Sequence, residues 1–365
     1  MALAGAIALG ASAHAQPASE QCHAPSGVSP DLRIIACTVV IEFELEASNR
    51  LAAAFANRGT AYRLRNEYDR AIADYGQALA IDPGNARAYV GRGRTYHDKH
   101  EYDRALADYD QAIRLDANLA AAYGQRGLTY YRKGDPDRAI ADLDRAIEID
   151  PKLAGSFSTR AAAYYAKKDY DRAVSDYGAA ILLTPNYADN FYYRGLAFRR
   201  MSDDDRAIAD FGEAVQLDPR AAHAFAARAA AYQARHDLDR ALADWDAAIA
   251  IRPTAGALFE RGMLYQDKGL NTRAIADFDE AIRLEPTAAR LTIRGYAHLL
   301  AKNYDRALAD FDEAIARDRM HAPARFGRAL ANGHKGNRLS ALGDITKGAV
   351  VSGINKVREW LGLRS

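Results

Sequence analysis

The stretch Tyr102–Asp135, YDRALADYDQAIRLDANLAAAYGQRGLTYYRKGD, decides the fold. Ala105, Leu106, Tyr109, Ala112 and Ile113 recur at helical spacing and make one apolar stripe. Just upstream, Tyr89, Arg92, Gly93 and Tyr96 sit at i, i+3, i+4 and i+7 and make another. The polar turn Lys99-His100-Glu101 lies between the two stripes. The sequence here predicts two amphipathic helices joined by a tight turn. Asp103 and its equivalents Asp69, Asp137, Asp171, Asp205 and Asp239 are expected to cap the second helix of each pair and to suit the positive end of its dipole.

The pattern repeats. Ala71, Ala105, Ala139, Ala173, Ala207, Ala241, Ala274, Ala307 and Ala341 keep a step of 34 or 33 residues, and Pro83, Pro151, Pro185, Pro219, Pro253 and Pro286 keep the same register. Each proline is expected to stop a second helix. Gly59, Gly93, Gly127, Ala161, Gly195, Ala229, Gly262, Gly295 and Ala329 share one position on the first helix. Small residues facing one another let two helices approach closely, with Tyr62, Tyr96, Tyr130, Tyr164, Phe198, Tyr232 and Tyr265 expected to fill the space beside them. One hairpin cannot bury both its faces, so the hairpins must stack.

These residues resemble the tetratricopeptide repeat family: the 34-residue period, the small residue four before the Tyr, the second-helix alanines such as Ala71 and Ala78, and the closing Pro. The likeness runs over residues 51–353, as eight good repeats and a ninth in which Asn332 takes the place of the aromatic. It implies an all-α, right-handed superhelical solenoid of antiparallel helix hairpins. Ile354, Val357, Trp360 and Leu361 mark residues 354–365 as a C-terminal capping helix. Asp31–Ile41, with Ile34, Ile35, Val39 and Val40, is expected to cover the other end as a half-repeat within an N-terminal segment, residues 16–50.

One feature departs from that family's pattern. Where Leu is usual before the small residue, this chain has Arg58, Arg92, Arg126, Arg160, Arg194, Arg228, Arg261, Arg294 and Arg328. Sixteen residues after each comes an acid: Asp74, Asp108, Asp142, Asp176, Asp210, Asp244, Asp277, Asp310 and Asp344. An Arg–Asp pair in every hairpin is predicted, bidentate where geometry permits. Its uniformity favours a structural role in fixing helix register; a charged ladder that holds ligand is the alternative.

Composition narrows the function. Lys plus Arg is 49 against 48 for Asp plus Glu, a net charge of +1, which argues against a nucleic-acid partner held by bulk charge. No run of 18 apolar residues offers a membrane-spanning helix. No phosphate loop, zinc helix or nucleophile elbow is present, and repeats consume nearly all of the chain, so no enzyme and no cofactor are expected. His97, Asp98, His100 and Glu101 come nearest to a metal cluster but lie at a helix end, where polar residues are ordinary. Paired acids such as Asp108 and Asp110 read as solvated helix faces.

The amino terminus reads as an export signal over residues 1–15. Leu3–Ala13 is apolar and Ala13-His14-Ala15 is a cleavage pattern, although no basic residue precedes the apolar run. The residues before Cys22 do not suit lipid attachment, so a soluble periplasmic or secreted protein is expected. In such a compartment Cys22 and Cys37 are expected to pair, with two free thiols as the alternative.

The resemblance implies that the first helices line a concave groove. Carried over position by position, Arg63, Val90, Arg94, His97, Leu128, Tyr131, Tyr165, Tyr192, Leu196, Arg199, Phe259, Met263 and Tyr296 make its lining. An aromatic, Arg-rich lining suits an extended peptide with acidic or aromatic side chains. The chaperone-tail clamp of some family members needs Lys and Asn at positions that Ala56 and Thr60 occupy, which excludes that ligand class. A scaffold of the cell envelope that binds other proteins is the leading reading; a glycan- or other polymer-binding solenoid is the alternative.

Overall fold

Every regular element among the described residues is an α-helix, and consecutive helices pack as antiparallel pairs. The structure, a computed structural model, describes residues 18–43, 47–337, 339–341, 343 and 344. The expected export signal, residues 1–15, and the expected capping helix, residues 354–365, lie outside the described residues. The chain divides into two compact bodies, Met1–Ala197 and Phe198–Ser365. In the first, a helix over Pro30–Glu42 packs on Ser48–Leu64, and hairpins follow over Ser48–Ile81, Ala86–Leu115, Ala120–Ile149 and Ala154–Leu183. In the second, hairpins run over Ala222–Ile251, Ala255–Leu284 and Ala288–Arg317, before the helix Ala322–His334.

The alanine series explains the close approach. Ala71, Ala105, Ala139, Ala173, Ala207, Ala241, Ala274 and Ala307 are all 0% exposed. Tyr62 and Tyr164 are buried in the same core clusters as the small residues, and the tightest contact with the small position is made by the large residue of the second helix, an aromatic in most hairpins and Leu143 in the third. A Cβ on Gly93 would lie 2.6 Å from the Tyr109 ring, one on Gly262 2.6 Å from Phe278 and one on Gly295 2.7 Å from Phe311. The Tyr62 series also lies beneath arginines: Arg138 covers Tyr130 and Arg172 covers Tyr164, each 4.4 Å from the ring centroid. An aromatic ring at that site offers its face to a cation.

Helix ends differ from expectation in two ways. The side chains that cap second helices are Asp135, Asp169, Asp203 and Asp237, which accept from the backbone N–H of Arg138, Arg172, Arg206 and Arg240. These lie two residues before the Asp103 series, whose members sit in the first turn and reach across to the next repeat. Asp69 takes Lys99 at 2.6 Å and Asp239 takes Lys268 at 2.6 Å, and Asp103, Asp137 and Asp305 take Lys133, Lys167 and Lys335. Nor is proline needed to stop a helix. Ala86–Leu115 ends at Leu115 with Ala117 in the proline position, because the Asp116 carboxylate accepts from the Asn118 N–H and turns the chain.

Between the two helices of each hairpin the turn places one residue in the left-handed region. His100, Lys168 and His236 have φ of 63°, 63° and 59°, and Gly134 has φ 80°. The next N–H then reaches back to close the helix end: Glu101 N donates to Tyr96 O at 2.8 Å and Asp135 N to Tyr130 O at 2.9 Å.

At the amino end, Cys22 and Cys37 are joined with Cα atoms 4.7 Å apart, and both are fully buried with Ala18, Ala36, Val40 and Ala54. Cys22 O accepts from Asn57 Nδ2 at 3.1 Å, which ties residues 18–23 to the first repeat. Val40 is buried and Ile34 packs inward, but Ile35, grouped with them in the sequence reading, is 62% exposed. One residue on from Ile34, about 100° around the helix, Ile35 falls on the solvent side.

Candidate functional site

The Arg–Asp pairs are a structural ladder. Eight of the nine predicted pairs, four inside each body, are bidentate. In the third repeat Arg126 Nε and Nη2 donate to Asp142 at 2.7 Å each. The acids are buried: Asp108 is 6% exposed and Asp310 4%. This corrects the reading of the paired acids as solvated faces. Asp108 belongs to its own hairpin's arginine, while Asp110 receives Nη1 of Arg126 from the next repeat at 2.6 Å. Asp144, Asp246, Asp279 and Asp312 receive Arg160, Arg261, Arg294 and Arg328 in the same way. Each such guanidinium grips two hairpins, and for Arg126 and Arg160 an aromatic face, Tyr123 and Phe157, lies beside it at 5.6 Å and 5.5 Å. Gly76 and Gly212 stand where Arg92 and Arg228 would find that second acid.

With its charges paired internally, the ladder leaves the first-helix face as the surface for a partner. There the structure brings together only part of the expected lining. In the first body, Leu128, Tyr131, Tyr165 and Leu196 line one cavity of about 370 Å³. Tyr192 lies beside it, edge-on to Tyr193 at 5.1 Å. Val90 is buried, His97 Nδ1 pairs with Thr129 Oγ1 at 2.8 Å, and Arg63 is bound to Asp98 at 2.8 Å. Arg94 is exposed. In the second body, Phe259 and Met263 pack around Phe278, and the Tyr296 hydroxyl donates to Pro323 O at 2.8 Å. Arg199 lies 3.7 Å from Asp204. The polar cluster at the end of the second repeat's first helix disperses: Asp98 goes to Arg63, Glu101 to Lys99 and Arg104, and His100 to Tyr102.

The sequence reading missed the residues that make the cavity distinctive. Tyr177, Tyr187 and Tyr193 line it with Tyr131 and Tyr165. Tyr177 is buried and stacks on Tyr193 at 6.0 Å and 16°, whereas Tyr187 and Tyr193 are 55% and 46% exposed. Burial holds the Tyr177 and Tyr192 phenols above the ordinary range, so both are protonated hydroxyls near neutrality. A second cavity of about 680 Å³ shares Ser158, Thr159, Tyr187 and Asn190 with the first and continues past Gly155 and Pro185. Asn190, 2% exposed, braces the floor: its Oδ1 accepts from Ser158 Oγ at 2.7 Å and its Nδ2 donates to Thr184 Oγ1 at 3.3 Å. The signal was present in the fifth repeat, where Asn190, Tyr192 and Tyr193 replace the small residues found at those positions in the repeat before and after.

Repeat models of the tetratricopeptide class match the chain in register with this geometry. One described as a TPR repeat covers residues 59–100, and others described as tetratricopeptide repeats cover 93–163, 255–287, and both 159–224 and 293–346. Together they span more than half of the chain. The chain belongs to the tetratricopeptide repeat family. Solved structures agree on the tetratricopeptide fold. PilW, a type IV pilus biogenesis factor, matches at 17% identity and TM-score 0.52, over 56% of this chain and 94% of its own. PilF of Pseudomonas aeruginosa matches at 18% identity and TM-score 0.51, over 56% and 94%. YrrB, a TPR protein with an unusual peptide-binding site, is 25% identical over 52% of this chain and 95% of its own, at TM-score 0.41. No curated protein matches the tetratricopeptide chain. Among the described residues, no helix of this tetratricopeptide protein is long and apolar enough to cross a membrane.

Proposed function

We propose that this tetratricopeptide protein is a non-catalytic scaffold that holds an extended segment of another protein against the first helices of its third to fifth repeats. One observation carries the reading: two adjoining cavities share Tyr187, which stands about half exposed over a buried floor, and Tyr193, also about half exposed, lines the smaller of the two. Rigid aromatic side chains supply large contact area at low entropic cost, and they dominate binding surfaces for that reason. The leader-like residues 1–15 and the buried Cys22–Cys37 bridge support a place in the cell envelope. Glycan binding is the second reading, favoured by the same tyrosine faces, which stack on sugars as well as on peptides.

Site-specific photocrosslinking in cells tests the site. A crosslinker at position 187 or 193 should yield discrete protein adducts, and one at Arg114, exposed on the second helix of its hairpin, should not. Equal capture from position 114 would overturn the assignment. Recovery of the mature protein from the envelope fraction with Gln16 at its amino terminus tests the export reading; an intact leader in the cytoplasm would refute it.

A further inference from the structure

Two kinds of charged bridge tie successive repeats together, and they are spread unevenly along the array. The first runs from the guanidinium of a first helix back to an acid on the preceding second helix, as in Arg126–Asp110 and Arg160–Asp144 at 2.6 Å each. The second joins the first turn of a second helix to the end of the next first helix, as in Asp103–Lys133 and Asp137–Lys167. The joints between the second and third repeats and between the third and fourth thus carry both. Elsewhere one kind is missing while the other remains. Gly76 and Gly212 remove the first, but Asp69–Lys99 and Asp205–Arg235 keep the second. Thr272 and Ala301 remove the second, but Arg294–Asp279 keeps the first at 2.8 Å.

Among the described repeats, only the joint before the fifth has the residues for neither. Gly178 stands where the acid belongs, so Arg194 draws no carboxylate from that position; a Cβ there would lie 3.6 Å from its Nη1. Met201 stands where the neighbouring repeats carry Lys167 and Arg235, the cation that would answer Asp171. Contacts that do cross this joint within the first body lie at the cavity: Ser158 Oγ donates to Asn190 Oδ1 at 2.7 Å, and Tyr177 stacks on Tyr193. The chain also divides into its two bodies inside this repeat, after Ala197. In a stack held by nearest-neighbour interfaces, motion concentrates at the joint with the fewest ties.

We propose that the joint between the fourth and fifth repeats is the hinge of the array. The smaller cavity straddles it, with Tyr131, Tyr165 and Tyr177 on one side and Asp189, Tyr193 and Leu196 on the other. Bending there changes the width of the cavity while the second to fourth repeats move as one block. The inference concerns motion, and it stands whether or not the cavity takes a protein segment.

Pulsed electron–electron double resonance on the full chain tests it. Arg114, Glu148, Leu182 and Gln216 occupy one position in successive second helices, and all four are exposed. The native cysteines are joined to each other, so introduced cysteines take the nitroxide labels. Labels at 114 and 182 span two doubly bridged joints, whereas labels at 148 and 216 span one such joint and the hinge. The distance distribution for 148 and 216 should be the broader. Gly178→Asp combined with Met201→Lys supplies both bridges and should narrow it to the width found for 114 and 182. Gly178→Ala, which adds a Cβ without a charge, should leave it broad. Equal widths for the two label pairs in the otherwise unaltered protein would overturn the proposal. So would a double variant that narrows the distribution no more than Gly178→Ala does.

Discussion

Removing Asp108 should cost more than removing Asp142, although both acids receive the same two hydrogen bonds. Asp108→Ala leaves Arg92 without a carboxylate, because Gly76 occupies the site from which the previous repeat would supply one. Asp142→Ala leaves Arg126 still bound to Asp110 at 2.6 Å. Stranding a buried charge costs about 3–5 kcal/mol. The arginines retain 24% and 19% side-chain exposure, which lowers that figure to about 2–3 kcal/mol. The surviving pair with Asp110, itself 43% exposed, is worth about 0.2–1 kcal/mol, so Asp142→Ala should be milder by that amount. The double variant Gly76→Asp, Asp108→Ala should then fall back to the level of Asp142→Ala, and a Cβ at position 76 meets nothing within 4 Å. Urea titration followed by circular dichroism at 222 nm reads the midpoints. If Asp108→Ala and Asp142→Ala shift the midpoint equally, or if Gly76→Asp rescues nothing, the bridging role of the guanidinium is refuted.

Lys168→Gly should stabilise the protein by about 0.5–1 kcal/mol, since Lys168 holds φ 63° where a side chain is strained; an unchanged or lower urea midpoint would contradict this. Acid should weaken the fold through His97 and His298, both of which burial holds below the usual imidazole range. The unfolded chain then binds protons first, so stability is complete above the unfolded value near 6.5 and falls as pH drops below it. The urea midpoint should decline between pH 7.5 and 5.5, and less so in His97→Gln; an identical decline in that variant would exclude His97 as a contributor. Thiol titration of the denatured, unreduced protein should find no free thiol, and Cys37→Ala should destabilise the amino-terminal segment by about 3 kcal/mol, read as faster proteolysis near residues 18–23; two free thiols would end the claim.

The hairpins were legible because their determinants are local and recur in every period. Ala105 and Gly93 announce a close helix contact at each recurrence, and Arg92 with Asp108 announces an ion pair by spacing alone. What spacing could not assign was the partner of each large residue. Tyr96 and Tyr109 look equivalent on their own helices, yet only Tyr109 meets the glycine, because that depends on how one helix is rotated against the other. The tyrosine-lined cavity was harder still. Its members come from the loop, Tyr187, from the second helix, Tyr177, and from a first-helix position, Tyr193, that family-based reasoning does not assign to the lining. They converge only once three consecutive hairpins are stacked. Arg63 illustrates the converse error: it occupies a groove position, but its charge is taken by Asp98 of the next repeat.

The guanidinium clamps also bear on how such an array can change its length. The clamps of Arg126 and Arg160 join a repeat to its predecessor through the same offset of 16 residues, so deleting one whole 34-residue period there leaves mating partners behind. Were the period ending at Asp144 excised, Arg160 would meet Asp110 instead, acid for acid. Excise two, and Arg160 would face Gly76 and lose its grip on the neighbour. Gene copying that adds or drops periods is thus tolerated at some seams and penalised at others, and the glycines mark where the array is least able to be cut and rejoined.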